Sequence, residues 1–201
     1  VAAITNTLAS NFGMSVNEAA KLSSKVFDTS KAIGLSGDEA ANLFGTLMQT
    51  ANLSADQAES LAEGAFQLAR QKGVAPSAVL KDIAGSAEEI AGFTKDGGNN
   101  IAEAAVQARQ MGLSLSTTAK IGKQLNYQKA RQLALEGDIA GATKEIVDQV
   151  GSEADFNALN VKQRQSLAKS IGVSVSEMAK LVSGSEKLTL SGAMASSSFG
   201  D

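Results

Sequence analysis

The chain has 201 residues, 43% of them hydrophobic, which is enough for one domain or two small ones with a real core. With 18 basic and 21 acidic residues its net charge is -3, so nothing argues for the concentrated basic face that nucleic acid requires. Cys and His are both absent, which excludes disulfides, thiol chemistry, zinc sites of the usual kind and any Ser-His-Asp mechanism. Only carboxylates, Lys, Tyr and hydroxyls remain as reactive groups, which favours a structural or interaction role over catalysis. Aromatic residues make up 4%, with no Trp and one Tyr, so Ala, Leu, Val and Met must fill the core, as suits closely packed short helices. No apolar run approaches the roughly 18 residues needed to span a bilayer, and no signal peptide is visible.

In chain order, the first helical stretch stops at Gly13, and Met14, Ser15 and Glu18 follow. Glycine just past a helix end enters the left-handed region without strain. Serine is a good N-cap, and an acid three residues later completes a capping box. The phrase returns at Gly34-Leu35-Ser36 with Glu39. There Leu35 is placed to pack back on the first helix and to staple onto Ala40 in the next. It returns again at Asn52-Leu53-Ser54 with Gln57, where Asn replaces Gly as the next-best left-handed residue. Gly73-Val74-Ala75 loses the hydroxyl, but Pro76 then stands at the first helical position, where proline is favoured. Gly92-Phe93-Thr94 is a worn version of the same corner, and KDGGNN (95–100) reads as an exposed loop or hinge.

Asn100 with Glu103 makes a capping box before IAEAAVQARQMG. Gly112-Leu113-Ser114 repeats the corner with Thr117 where the acid should be. Asn126 is placed to cap the segment that stops at Gly137, Asp138 the segment that ends at Gly151, and Asn160 with Gln163 the segment before Gly172. Gly172-Val173-Ser174 with Glu177 is a full copy of the corner. SGAMASSSFGD (191–201) is small and polar enough for a flexible linker or tail. The start at Val1 without Met and the end at SSSFGD read as a piece of something longer.

The corners are 21, 18, 21, 19 and 20 residues apart from position 13 to position 112, and 60 separate 112 from 172. A period of about 20 means one helix plus one tight corner, the logic of units that cannot bury an apolar face alone. No strand or hairpin signal appears. The expected fold is all-α: about ten short helices joined by tight Gly-apolar-Ser corners, as a repeat-like or irregular helical bundle. The expected organisation is an N-terminal helical lobe over 1–94, a loop or hinge at 95–100, a C-terminal helical lobe over 101–190 and a flexible end over 191–201.

Candidate chemistry is thin. Asp38 with Glu39 and Glu88 with Glu89 are adjacent carboxylates, but first-turn acids simply favour the helix dipole. GDIAGATK (137–144) lacks the Gly-Lys-Ser/Thr order and the preceding strand of a phosphate-cradling loop. DGGNN (96–100) lacks the alternating acids of a calcium loop. Lys120, Lys123, Lys129 and Arg131, and separately Lys162, Arg164 and Lys169, read as solvated faces. Tyr127 and the scattered Phe residues read as core. No catalytic residue, cofactor, metal or small-molecule substrate is expected. The candidate residues are the corners themselves.

Four stretches resemble a known family: KAIGLSGDEAANLFGTLMQTANLSADQAESLAE (31–63), LNYQKARQLALEGDIAGATKEIVDQVG (125–151), DFNALNVKQRQSLAKSIG (155–172) and SLAKSIGVSVSEMAKLV (166–182). They are similar to the tail tape measure proteins of long-tailed bacteriophages. The resemblance implies an elongated homo-oligomer, often three-fold, in the tail lumen of the virion, made in the host cytoplasm. It implies partners in the tail tube and in the tail tip or baseplate, control of tail length, and release during genome delivery, the only stage that brings membrane contact. Some members carry peptidoglycan hydrolase domains, for which no motif is found here. Glycine about every 20 residues forbids the long heptad runs of a continuous coiled coil, so a compact or jointed region is expected. The alternatives are a helical scaffold that binds a protein partner between its repeats, and an all-α enzyme that cleaves peptidoglycan with a Glu of raised pKa.

Overall fold

In the computed structural model of the chain the described residues are 1–122 and 128–197. They form thirteen α-helices and two 3-10 turns and contain no strand, so the protein is all-α. The chain divides into two compact units, Val1–Val106 and a second that begins at Gln107.

Unit 1 holds α1 (Ala2–Phe12), α2 (Val16–Ile33), α3 (Gly37–Thr50), α4 (Ala55–Gln71), α5 (Pro76–Gly85) and the single-turn α6 (Ala87–Ile90). The 3-10 turns Ala91–Phe93 and Asp96–Gly98 follow, then most of α7 (Asn99–Gln110). Apolar residues at helical spacing put Ala19, Val26 and Ile33 of α2 on one buried stripe. Ser23 and Ser30 share that stripe and donate to the Ala20 and Phe27 carbonyls, both at 2.7 Å, so neither hydroxyl is left unbonded. The apolar face of α3 is wider: Ala40, Ala41, Leu43, Phe44, Gly45 and Leu47 are all buried. That width fits its neighbours, because α3 packs on α1, α2, α4 and α5.

Helices pack on their successors and on their next-but-one neighbours: α1 on α2 and α3, α2 on α3 and α4, α4 on α5. Thr7 to Asp38 and Asn11 to Asn42 are both hydrogen bonds across 31 residues, so α1 and α3 run parallel. Lys25 to Asp56 and Thr29 to Glu59, across 31 and 30 residues, make α2 and α4 parallel. Two corners therefore restore the chain direction, and α1–α3–α5 and α2–α4 form two rows. Small residues allow the approach. On α4, Ala58, Ala62, Ala65 and Ala69 are buried beside Leu61, and a Cβ on Gly45 would run into the Phe12 ring.

Unit 2 holds the end of α7, α8 (Leu115–Gly122), α9 (Gln128–Leu135), α10 (Ile139–Val150), α11 (Glu153–Ala158), α12 (Val161–Ile171) and α13 (Val175–Ser197). α10 packs on α8, α9 and α13, and α13 also packs on α11 and α12. Its core includes Leu113, Leu115, Ile146, Phe156, Ile171, Met178, Leu181 and Val182.

Three features differ from the sequence expectation. The units divide inside α7 and not at 95–100, because the DGG turn is tied into unit 1. A Cβ on Gly98 would lie 2.9 Å from Leu61 Cδ2, so the turn packs directly on α4. Gly92 is not a left-handed corner. It sits in a 3-10 turn, and the positive φ values fall instead at Asp96, Gly97 and Gly98. Residues 191–197 continue α13 as helix where a flexible linker was expected, and 198–201 lie outside the described residues.

Two glycine substitutions separate packing from propensity. A Cβ at Gly184 would meet Met111 Cβ at 2.8 Å and its backbone Cα at 2.9 Å, and a backbone atom has no rotamer to yield. Gly184→Ala is expected to lose about 1–3 kcal/mol in urea unfolding despite its better helix propensity. Gly64, inside α4 with nothing within 4 Å, is expected to gain about 0.5–1 kcal/mol as Ala.

Candidate functional site at the helix corners

The corner between α2 and α3 shows the chemistry in full. Gly34 lies at φ 70, ψ 27, a conformation that costs any other L-residue but asparagine or aspartate appreciable strain. This turns the next amide back, so Leu35 N–H donates to the Ser30 carbonyl five residues earlier at 3.0 Å. Ser36 Oγ then accepts from Glu39 N–H at 3.2 Å, and Glu39 Oε2 accepts from Ser36 N–H at 3.0 Å and from its hydroxyl at 2.9 Å. Leu35 is half-buried and Ala40 fully buried, so the corner is pinned to the core on its far side.

The predicted corners at Gly13, Asn52, Gly73 and Gly172 share its left-handed residue. Gly13 has φ 65, and Ser15 and Glu18 form the reciprocal pair. Asn52 has φ 53, and Ser54 and Gln57 form the pair. Gly73 is left-handed, with Pro76 opening α5 after the uncapped Ala75. Gly172 has φ 79, and Glu177 accepts from Ser174 N–H at 2.8 Å while Ser174 Oγ accepts from Glu177 N–H at 3.1 Å. Asn160 and Gln163 pair in the same way. The five-residue backward bond recurs from Val74, Leu113, Asp138 and Val173. One turn into the next helix, Ala19, Ala40, Ala58, Val79, Ala142, Phe156 and Met178 are all buried.

Some residues do other work than their spacing indicated. Asn100 does not cap α7, which begins at Asn99. It lies inside the helix and reaches back, accepting from Lys95 N–H at 3.0 Å and donating to the Phe93 carbonyl at 2.8 Å, and so holds the DGG turn. Asn126, Lys123 and Tyr127 lie outside the described residues. Ser152 with Asp155 forms a further box, which opens α11 and has the readable Ser-x-x-acid spacing. Arg164 stands one turn into α12, where other helices bury a side chain. It donates to the Leu159 and Asn157 carbonyls at 2.9 and 2.7 Å and lies 5.7 Å over the Phe156 ring, tying down the end of α11.

The remaining polar candidates resolve into local structure. Asp38 accepts from Thr7, and Glu39 belongs to its box and to Lys81 at 2.9 Å. Glu88 and Glu89 stand in the first turn of α6. In GDIAGATK, Asp138 caps α10 by accepting from Gly141 N–H at 2.7 Å, so a carboxylate already occupies the place a phosphate would take. Lys129 pairs with Glu145 at 2.7 Å. Lys25, on α2, reaches Asp56 and Glu59 on α4, both at 2.6 Å. Among the described residues no group of three or more acids is placed to hold a metal ion, and no helix is long and apolar enough to cross a membrane.

No protein-family model, curated protein or solved structure matches this chain.

The carboxylates at the corners are held ionised. Lys81, then the Ser36 amide and hydroxyl, lower Glu39 from its ordinary 4.5 to about 2. The Ser15 hydroxyl and amide lower Glu18, the Ser152 hydroxyl and amide lower Asp155, and the Ser174 amide leads the lowering of Glu177. A group whose pKa falls on folding stabilises the fold above its unfolded value and loses that contribution as pH drops through its folded value. The thermal midpoint is therefore expected to be flat from about pH 7 to 5 and to fall between about pH 4.5 and 2, as followed by circular dichroism. Gly34→Ala is expected to cost about 1 kcal/mol and Gly92→Ala less than about 0.5 kcal/mol in the same assay, because only Gly34 is left-handed.

Proposed function

We propose that this chain is a jointed segment of a bacteriophage tail tape measure protein, which lies in the tail, helps set its length and leaves with the genome. The observation that carries the reading is the recurring corner phrase, quoted above for its likeness to that family. Each copy joins two short helices through bonds confined to a few residues. Short helices are marginal alone and take their stability from packing on neighbours. A chain of such units can open in steps and pass a narrow tube, and with no cysteine in the sequence no disulfide has to be reduced first. On this reading the partners are further copies of the chain and the proteins of the tail tube and tip.

A second reading is a protein-binding scaffold. The two-row packing of α1 to α5 favours it, because stacked helix pairs present a continuous surface to a partner.

The test is in-frame deletion of this segment from its gene, with tail length measured by electron microscopy. At about 1.5 Å per helical residue the tape measure reading expects uniformly shorter tails, by up to roughly 300 Å. Tails of unchanged length would contradict it, and loss of tails altogether would favour the scaffold.

A further inference from the structure

The corner at Gly112 lacks an acid of its own. Ser114 Oγ accepts from Thr117 N–H at 3.2 Å, as a cap should, but the residue that ought to return a carboxylate is a threonine. The Thr117 hydroxyl lies 3.1 Å from Ser114 Oγ and donates at 2.9 Å to Glu177 Oε1, 60 residues along the chain. Glu177 is the box acid of the Gly172 corner, with Oε2 accepting from Ser174 N–H at 2.8 Å. One carboxylate thus serves two corners, one before α8 and one before α13.

The bond is part of a docked face. Glu177, Lys180 and Gly184 lie on one stripe of α13. A Cβ on Gly112 would sit 4.0 Å from Lys180 Cδ, and Gly184 packs on the Met111 backbone. The first corner of unit 2 is therefore seated along the start of its last helix. Thr117 is 5% exposed, so water does not replace the bond when it breaks without opening the face. Glu18, the box acid of the Gly13 corner, makes both its box bonds to Ser15, three residues away.

We propose that the Thr117–Glu177 bond is a latch that joins α8, α10 and α13 into one cooperative body, so that the three open together. Closing the loop between Thr117 and Glu177 is an entropic cost met once. Contacts of α10 with α8 and with α13 then form inside an already closed chain. The latch is a property of unit 2 and holds independently of the tail reading.

Amide hydrogen exchange on the full chain tests it, read residue by residue by NMR across low denaturant concentrations. In the wild-type chain the slowest amides of Leu115–Ala119, Ile146–Val147 and Met178–Val182 are expected to share one denaturant slope. Thr117→Val is expected to speed all three groups by a common factor of about tenfold. Thr117→Ser, which keeps the hydroxyl, restores wild-type rates, and Glu18→Gln leaves all three groups unchanged. Glu177→Gln keeps its own box, as Gln57 and Gln163 do at theirs, and gives a smaller common acceleration that serves if Thr117→Val does not fold. Separate denaturant slopes in the wild-type chain would overturn the latch. So would a Thr117→Val effect confined to α8 with Met178–Val182 unchanged.

Discussion

Every helix end leaves backbone amides or carbonyls without partners, and a chain that ends a helix about every 20 residues meets that deficit at each turn. In this protein the deficit is met by one device used repeatedly. At Gly34, Gly73, Gly112 and Gly172 a left-handed residue turns the next amide back onto a carbonyl five residues earlier, and at most corners a capping side chain and the residue three further on exchange bonds across the first turn of the following helix. A cap of this kind contributes about 1 kcal/mol, a large share of the roughly 5–15 kcal/mol that holds a domain together. Without it, helices of this length would fray and the two rows of unit 1 would lose their register.

The corners also decide what the core is made of. The residue one turn into the new helix points inward, so the cap fixes which side of the helix meets its neighbours. At Ala19, Ala40 and Ala58 the inward residue is small, and α1 to α4 approach closely enough for Thr7 to reach Asp38 and Lys25 to reach Asp56 and Glu59. At Phe156 and Met178 it is large, and unit 2 gathers around α10 and α13. The same corner therefore supports a layered stack in one unit and a clustered arrangement in the other.

What was legible in the sequence is what the chain decides locally. Gly34 with Ser36 and Glu39 needs six residues to define itself, and Ser54 with Gln57 and Asn160 with Gln163 need four each. Gly92 looked like a corner because glycine also serves other turns, and only the path of the chain onto α4 shows that Asp96–Gly98 makes the bend. Asn100 has the spacing of a cap but an unplanned partner, the Phe93 carbonyl, which depends on the loop's tertiary path. Thr117 read as a defect because its carboxylate is 60 residues away. The division inside α7 and the two-row packing depend on which helices meet, and no window of sequence holds that information. The small polar composition at 191–197 pointed to a linker, yet those residues extend α13.

The proposed tail role and the latch both rest on corners that are formed and that matter to stability. The most direct measurement is urea unfolding of a chain carrying Ser15→Ala, Ser36→Ala and Ser54→Ala together. These three caps lie in unit 1 and bond to residues of unit 1. The account predicts a loss of about 3 kcal/mol, near the sum of the three single changes, from unit 1 alone, with the transition of unit 2 unmoved. An unchanged midpoint for unit 1 would contradict it, since the helices would then be held by packing without their corners.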